Sequence, residues 1–332
     1  MSDSPKLTIV IPTFNRPELL PRALRSCLDQ TVQAQIIIAD DGDCDRTNDV
    51  LVEQFPLPVL MGQVRHLRTG ASYAWANWRA GMDAVDTPYA AWVQDDDVVH
   101  PCYVERIVNA FDVFPDADVW FARIQCAPDG EKAMWYSGTG PWCPMDMKYG
   151  RLHSLRESSI LASTAYFVSW SLSPAIAYRA TPHFRECLKN HPEQCDIFVE
   201  RLLPAMAANG RAFIPDPAIV AYWIQHGDQL SHKQHKEQPE QTKRFLPMLD
   251  GILDKSEGWE ESLAAWCLLI PANTLVAWAG QCEVTCREGG GSRHDKTIRR
   301  ILIQSLRDRV QFGGERRWWK RARNWVRSKA AL

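Results

Sequence analysis

Tyr89-Ala90-Ala91-Trp92-Val93-Gln94-Asp95-Asp96-Asp97-Val98-Val99-His100-Pro101 runs from an apolar segment straight into three carboxylates and ends at a proline. The apolar run, bounded by Thr87-Pro88 on one side and by acids on the other, has the length and composition of a strand buried in a parallel sheet. The acids then fall at its carboxyl end, the edge of an open α/β sheet where ligands bind. Clustered Asp oxygens are hard donors that suit Mg²⁺ or Mn²⁺ rather than zinc, and the guest they would serve is a metal-bound diphosphate. The same acids also fit a solvated turn capping a helix that begins near Pro101, because Asp is favoured at helix N-termini.

The residues before this stretch favour a site. Leu7-Thr8-Ile9-Val10-Ile11 is β-branched and apolar and stops at Pro12-Thr13, the pattern of a first buried strand and a loop. Pro17 suits the first turn of a helix through Leu28, with Leu20, Leu24 and Leu28 on one face. A second strand, Ile36 to Ala39, ends in Asp40-Asp41-Gly42, and a third spans Val64 to Leu67. Thr69-Gly70-Ala71-Ser72 then opens a helix carrying Trp75, Trp78 and Met82. Strands alternating with helices imply a parallel sheet with right-handed crossovers, which brings both acid pairs to one sheet edge.

Composition agrees with a folded enzyme-sized body: 332 residues, 45% hydrophobic and 23% charged. The ten cysteines include no Cys-x-x-Cys pair, and the closest two, Cys282 and Cys286, have no matching pair, so neither a zinc nor a disulfide framework is expected. The N-terminus enters the first strand without the apolar core of a signal peptide, and a cytoplasmic location is expected. The net charge of −2 hides a split. From Arg293 to Leu332 there are thirteen Lys/Arg against three Asp/Glu, leaving twenty-five against thirty-seven in the rest.

Four motifs in order carry a family resemblance. Val10-Ile11-Pro12-Thr13-Phe14-Asn15-Arg16, then Ala39-Asp40-Asp41-Gly42, then Arg68-Thr69-Gly70 with Ala76-Asn77 and Gly81, then Gln94-Asp95-Asp96-Asp97 before Pro101, resemble a family 2 glycosyltransferase of the GT-A fold. The resemblance covers roughly the first 110 residues. It implies a Rossmann-like, mostly parallel α/β sheet flanked by helices and an inverting transfer from a nucleotide-sugar donor, UDP-linked in the first instance. Pro12, Thr13, Phe14, Asn15, Asp41 and Arg68 would surround the nucleotide, Asp95 the ribose hydroxyls, and Asp96 the Mn²⁺ or Mg²⁺, with Asp97 a helix cap. Gln94 departs from the common Asp-x-Asp-Asp pattern. In the acid-rich helix start Glu193-Gln194-Cys195-Asp196, the resemblance makes Asp196 the first candidate for the catalytic base and Glu193 the second. It also places His226, after the strand ending at Ile224, near the diphosphate or metal.

Between Cys126 and Gly150 periodicity disappears and Pro, Gly, Trp and Met accumulate, the composition of a functional loop. Trp135, Tyr136 and Trp142 suit stacking on acceptor sugar rings, and equally suit packing of the loop on the core. The polar connector Glu237 to Lys243 divides a catalytic domain, 1–236, from a helical C-terminal region, 237–332. Leu263 to Cys282 has no charged residue, but Pro271, Asn273, Thr274 and Gln281 favour a docked helix pair over a membrane span. Arg316 to Arg327 interleaves Trp with basic residues, which suits an anionic bilayer surface on the inner face of the membrane or a helix packed on the body; no nucleic-acid partner is expected.

The activity expected is therefore transfer of a sugar to a hydroxyl of a glycan or glycolipid in surface polysaccharide synthesis. The alternative is a catalytically silent sugar-nucleotide-binding or scaffold protein of the same fold. A nucleotidyltransferase is disfavoured because Pro12-Thr13-Phe14-Asn15-Arg16 has no glycine.

Overall fold

The computed structural model describes residues 4–43, 45–71, 73–128, 134–136, 154, 158–165, 167, 171–191, 199–225, 238–268, 270, 272–287 and 291–311. Its strands are β1 (Leu7–Thr13), β2 (Gln35–Asp40), β3 (Val64–Arg68), β4 (Tyr89–Trp92), β5 (Val98–Val99), β6 (Ala117–Pro128), β7 (Met134–Tyr136), β8 (Ile176–Arg179) and β9 (Ala212–Gln225). They form one sheet in the order β3-β2-β1-β4-β8-β6-β9-β5, with β7 paired to β6. The helices are α1 (Leu20–Leu28), α2 (Arg46–Gln54), α3 (Pro56–Leu60), α4 (Ala74–Asp83), α5 (Tyr103–Val113), α6 (Ser159–Thr164), α7 (Pro182–Asn190), α8 (Val199–Ala207), α9 (Gln238–Lys255), α10 (Trp259–Cys267), α11 (Ala272–Arg287) and α12 (Asp295–Gln311).

β1 to β4 are parallel, as the strand and helix rhythm requires, and β6 pairs in parallel with β9. Between them lies a reversed strand, β8, antiparallel to both β4 and β6. The reason is connectivity. The chain leaves β6 at the carboxyl edge and comes back without a crossover, so the next strand in the gap must run the other way.

Alternation along β1 assigns its side chains to two cores. Leu7, Ile9 and Ile11 face Leu20 and Leu24 of α1 and Tyr103, Ile107 and Phe111 of α5. Val10 faces the opposite side, with Trp75 and Trp78 of α4, Trp92, Tyr178 and Leu202. That second core continues without a break into Leu249, Leu263, Trp266, Leu275, Trp278 and Leu302, so the C-terminal helices close over the same face of the sheet. The charge-free run from Leu263 is thereby explained. It divides between α10 and α11, and Leu263, Trp266, Leu275 and Trp278 are buried inside the protein. Phe167 stacks on Trp278 at 4.2 Å, and Ser159 Oγ lies 2.7 Å from Ser262 Oγ. Among the described residues no helix is long and apolar enough to cross a membrane. The boundary drawn at 236/237 and the basic segment Arg316 to Arg327 lie outside the described residues.

Candidate active site

Three loops meet at the carboxyl edge of β1, β2 and β3, and the residues expected around a nucleotide are the ones that tie them together. Asn15 takes a left-handed backbone conformation, φ 53°, which Asn tolerates better than most residues. This aims its side chain at the loop after β2: Oδ1 accepts from the Asp43 N–H at 3.1 Å and Nδ2 donates to Asp43 Oδ2 at 3.1 Å. Gly42 lies so close to Asn15 Oδ1 and Asp40 Oδ1, each 2.9 Å from where a Cβ would stand, that a larger residue would push the two loops apart. Arg68, at the end of β3, donates to Gly42 O at 2.6 Å, and Phe14 stands out of the loop with 53% of its surface exposed.

The two acids that end β2 have different tasks. Asp40 is fully buried; its Oδ1 accepts from the Gly42 N–H at 2.8 Å and its Oδ2 lies 3.0 Å from His66 Nε2. Burial opposes its ionisation, but the His66 and Gly42 hydrogen bonds outweigh it and hold the carboxyl below its ordinary range. Asp41 is half-buried, its carboxyl raised by burial against a hydrogen bond from the Ala71 N–H. Asp40 thus shapes the loop, and Asp41 keeps a surface for a ligand.

Beneath the loops sits Asn77 of α4, buried and fully used. Its Nδ2 donates to Thr13 O at 3.1 Å and to Ala39 O at 3.0 Å, and its Oδ1 accepts from Thr69 Oγ1 at 2.7 Å. One side chain therefore holds the ends of β1 and β2 and the turn after β3 in register. The motif Ala76-Asn77 contains no local signal of this task.

The acids of the organising stretch converge on the same place. Asp95 Oδ2 accepts from Thr13 Oγ1 at 2.8 Å, a buried, charge-assisted bond between residues 82 apart in sequence. Arg16 Nη1 lies 3.5 Å from Asp95 Oδ1 and 3.6 Å from Asp96 Oδ2, and Arg22 donates to the Asp96 carbonyl at 3.1 Å. Burial, and then the charge of Asp96, push the Asp95 carboxyl up to about 7, while Arg16 and Thr13 pull it down. Two adjacent buried carboxylates repel one another and favour positive charge beside them, which Arg16 supplies in part.

The role expected for Asp97 needs correction. Helix α5 starts at Tyr103, its N-cap is Cys102, and no side chain caps it. Asp97 instead turns inward, and its Oδ1 accepts from the Ile224 N–H of β9 at 3.1 Å. Burial and the charge of Asp96 raise its carboxyl well above the ordinary range. Together with the pairing of Val98 and Val99 to β9, this bond fastens the far end of the acidic loop, whose near end is held by β4. The carboxyl is drawn to β9, 127 residues further on, and the helix begins beyond it with Cys102 as its N-cap.

On the other side of the acids, sequence reasoning missed a chain of three residues. Gln94 Nε2 donates to Ser173 Oγ at 3.2 Å, and Ser173 donates through both its N–H (2.6 Å) and its Oγ (2.9 Å) to Glu200 Oε1. Burial pushes the Glu200 carboxyl up to about 7. A Glu-Arg pair at a helix start was the only available signal. Of the other residues expected at the site, Asp196, Glu193, His226 and Trp142 lie outside the described residues, and so do the side chains of Trp135 and Tyr136, whose backbone forms β7.

The edge so described, with parallel strands, acid-ended loops and one reversed strand inserted beside β4, is a GT-A-like fold. Residues 8–169 match the model of Glycosyl transferase family 2. That segment contains Thr13, Asp41, Arg68, Asp95 and Asp96 and stops before Ser173 and Glu200. An uncharacterized glycosyltransferase of Nostoc sp. is 32% identical over 108 residues, which are 32% of this chain and 33% of that protein. A GalNAc(5)-diNAcBac-PP-undecaprenol beta-1,3-glucosyltransferase of Campylobacter jejuni is 29% identical over 98 residues, 28% of this chain and 30% of that protein. The chain thus spans about a third of the length of these curated relatives. The crystal structure of S. aureus TarS 1-349 in complex with UDP-GlcNAc superposes with a TM-score of 0.55 at 14% identity, covering 91% of this chain and 92% of that one, which shows a shared fold.

Among the described residues no group of three or more His, Cys, Asp or Glu is arranged around a common metal position. Asp95 and Asp96 nevertheless fit the hard cation that the resemblance implies: their oxygens are the right donors, and a diphosphate and water would supply the remainder of its coordination.

Proposed function

We propose that the protein is an inverting, metal-dependent glycosyltransferase that moves a sugar from a nucleoside diphosphate, UDP first, to a hydroxyl of a glycan or glycolipid in surface polysaccharide synthesis. The observation that carries this reading is the convergence of Thr13, Asp95 and Asp96 beside the loops clasped by Asn15, Arg68 and Asn77. Phe14 offers an exposed ring for stacking on the base, Asp41 a carboxylate for a base or ribose N–H or O–H, and Asp95 one for ribose hydroxyls. Pro12, paired with Ala39 near the end of β1, leads into the loop that presents Phe14. Asp96, with His226, would hold Mn²⁺ or Mg²⁺, which as a Lewis acid neutralises charge on a departing diphosphate. Arg16 balances the paired acids, so the site tolerates a second negative charge as the ligand arrives.

On the acceptor side, Trp135, Tyr136 and Trp142 would stack on sugar rings, and a carboxylate takes the proton of the attacking hydroxyl. The resemblance gives that task to Asp196 or Glu193. The name of the Campylobacter relative, which includes PP-undecaprenol, favours a lipid-linked acceptor, and the basic segment Arg316 to Arg327 would hold the protein peripherally on the inner face of the membrane. We assign residues 1–236 to the catalytic domain and 237–332 to the helical region that supports it. Gln94, the best argument for a silent protein, has a specific partner in Ser173 and so does not favour that reading.

The test is calorimetric binding of UDP with Mn²⁺ present and then with EDTA. Metal-dependent heat is expected from the wild type, and a loss of about 100-fold or more in affinity from Asp96→Ala with unchanged circular dichroism, since the site's charge stabilisation goes with the carboxylate. Full metal-dependent binding by the variant would overturn the assignment of Asp96. Absence of heat with UDP, GDP, dTDP and CMP alike would overturn the nucleotide-sugar reading itself.

A further inference from the structure

Glu200 stands at the start of α8, behind the acidic loop and outside the segment that matches the family. We propose that Glu200, rather than Asp196 or Glu193, accepts the proton of the attacking hydroxyl, and that Ser173 and Gln94 hold it in place. The inference rests on the nucleotide-sugar reading above and assigns the acceptor half of the same site.

Its anchor is rigid. Ser171 Oγ donates to Ala122 O at 2.6 Å, Tyr103 Oη donates to Pro174 O at 2.7 Å, and the N–H of Ala122 donates to Ala175 O at 2.9 Å. Ser173 is the middle of this pinned loop, and it delivers two donors to one oxygen of Glu200. Both bonds fall on Oε1. Among the described residues Oε2 accepts no hydrogen bond, while Glu200 keeps part of its surface open. A carboxylate with one oxygen fixed by two donors and the other bonded to none of the described residues keeps the lone pairs needed to take a proton.

The same network explains Gln94. A serine hydroxyl has one proton, and Ser173 uses it on Glu200; toward residue 94 it can then only accept. The amide N–H of Gln94 meets that need at 3.2 Å. An Asp at 94, as in the common pattern, has no proton to give and would compete with Glu200 for the hydroxyl. The substitution that weakened the metal motif in sequence is the one that lets a second carboxylate be held beside it.

In the reaction the acceptor oxygen forms its bond to the anomeric carbon while the bond from that carbon to the diphosphate oxygen breaks. The electron pair leaves with the nucleoside diphosphate, and the hydroxyl proton passes to Glu200 Oε2. Atoms and charge balance with no other reagent. Burial helps by raising the carboxyl to about 7, closer to a hydroxyl's proton affinity than an ordinary Glu and still ionised above neutrality.

The experiment uses the full chain and water as the acceptor: release of UDP from UDP-glucose, UDP-GlcNAc and UDP-galactose, beside calorimetric binding of UDP with Mn²⁺. Glu200→Gln should bind UDP like the wild type and lose turnover by about 100-fold or more, the usual worth of a general base. Wild-type turnover should fall as pH drops through about 7, where Asp95 titrates as well as Glu200, and the limb should be shallower in Glu200→Gln, with only the Asp95 contribution left. Ser173→Ala, which leaves the carboxylate but frees it, should keep the limb and move it, with a smaller loss. Full turnover by Glu200→Gln would overturn the proposal, as would loss of turnover in Asp196→Asn with none in Glu200→Gln. Failure of the wild type to bind UDP would remove the reading beneath the proposal, whereas intact binding with an unaffected Glu200→Gln removes this role alone.

Discussion

Asn77→Ala separates the loops of the nucleotide side while leaving every residue proposed to contact the ligand unsubstituted. The side chain makes three buried hydrogen bonds, at 3.1, 3.0 and 2.7 Å, to the ends of β1 and β2 and to the turn after β3. At about 1 kcal/mol for each, their loss amounts to roughly 3 kcal/mol. The stranded partners do not add the full penalty of orphaned groups. Thr13 O still accepts from the Asp41 N–H at 3.2 Å, and Thr69 Oγ1 lies 3.4 Å from Asp40 O. An overall loss of about 2–4 kcal/mol in urea unfolding is therefore expected. The functional effect is separable from stability, because Thr13 carries the hydroxyl that holds Asp95, and Ala39 precedes Asp40 and Asp41. With both carbonyls released, UDP affinity measured on the folded variant should fall at least about tenfold, or about 1.4 kcal/mol. A variant that loses less than about 1 kcal/mol and binds UDP like the wild type would refute the claim that Asn77 sets the register of the three loops.

Gly81→Ala tests the packing of α4 on the sheet: a Cβ there would collide with Val10 Cγ1 and Ala39 Cβ. Alanine's helix propensity favours the variant by about 1 kcal/mol, but overpacking costs about 1–3 kcal/mol or more, so thermal unfolding should show net destabilisation. A variant more stable than the wild type would mean that α4 stands further from β1 than described. The raised Glu200 carboxyl makes a prediction about stability as well as rate. Its folded value, about 7, exceeds its ordinary 4.5, so the native state binds the proton more tightly and the contribution is fully present below about 4.5 and lost as pH rises through about 7. Unfolding free energies of the wild type should therefore decline across that window relative to Glu200→Gln, and a constant difference would show that the carboxyl titrates normally.

The sequence by itself determined the parallel half of the sheet and the edge at which chemistry gathers. Apolar runs of strand length that end in Asp can be read locally, and right-handed crossovers leave no freedom about which edge their ends reach. Asp40-Asp41 and Asp95-Asp96 were therefore placed together before any contact was known, and Thr13 with them. What the acids do individually was not legible. Asp40 and Asp41 are neighbours of one type, yet His66 and the Gly42 N–H take the first for the loop and leave the second half-open. The local sequence of Asp97 is that of a helix cap, but β9 arrives beside it and the Ile224 N–H bonds one of its carboxyl oxygens. The reversal of β8, and with it the meeting of Gln94, Ser173 and Glu200, depends on where a chain without periodicity returns to the sheet. Periodicity fixes the face a residue shows, through the geometry of its own strand or helix. Which donor meets which acceptor is fixed only when distant segments pack, because a hydrogen bond requires about 3 Å and a proton to give.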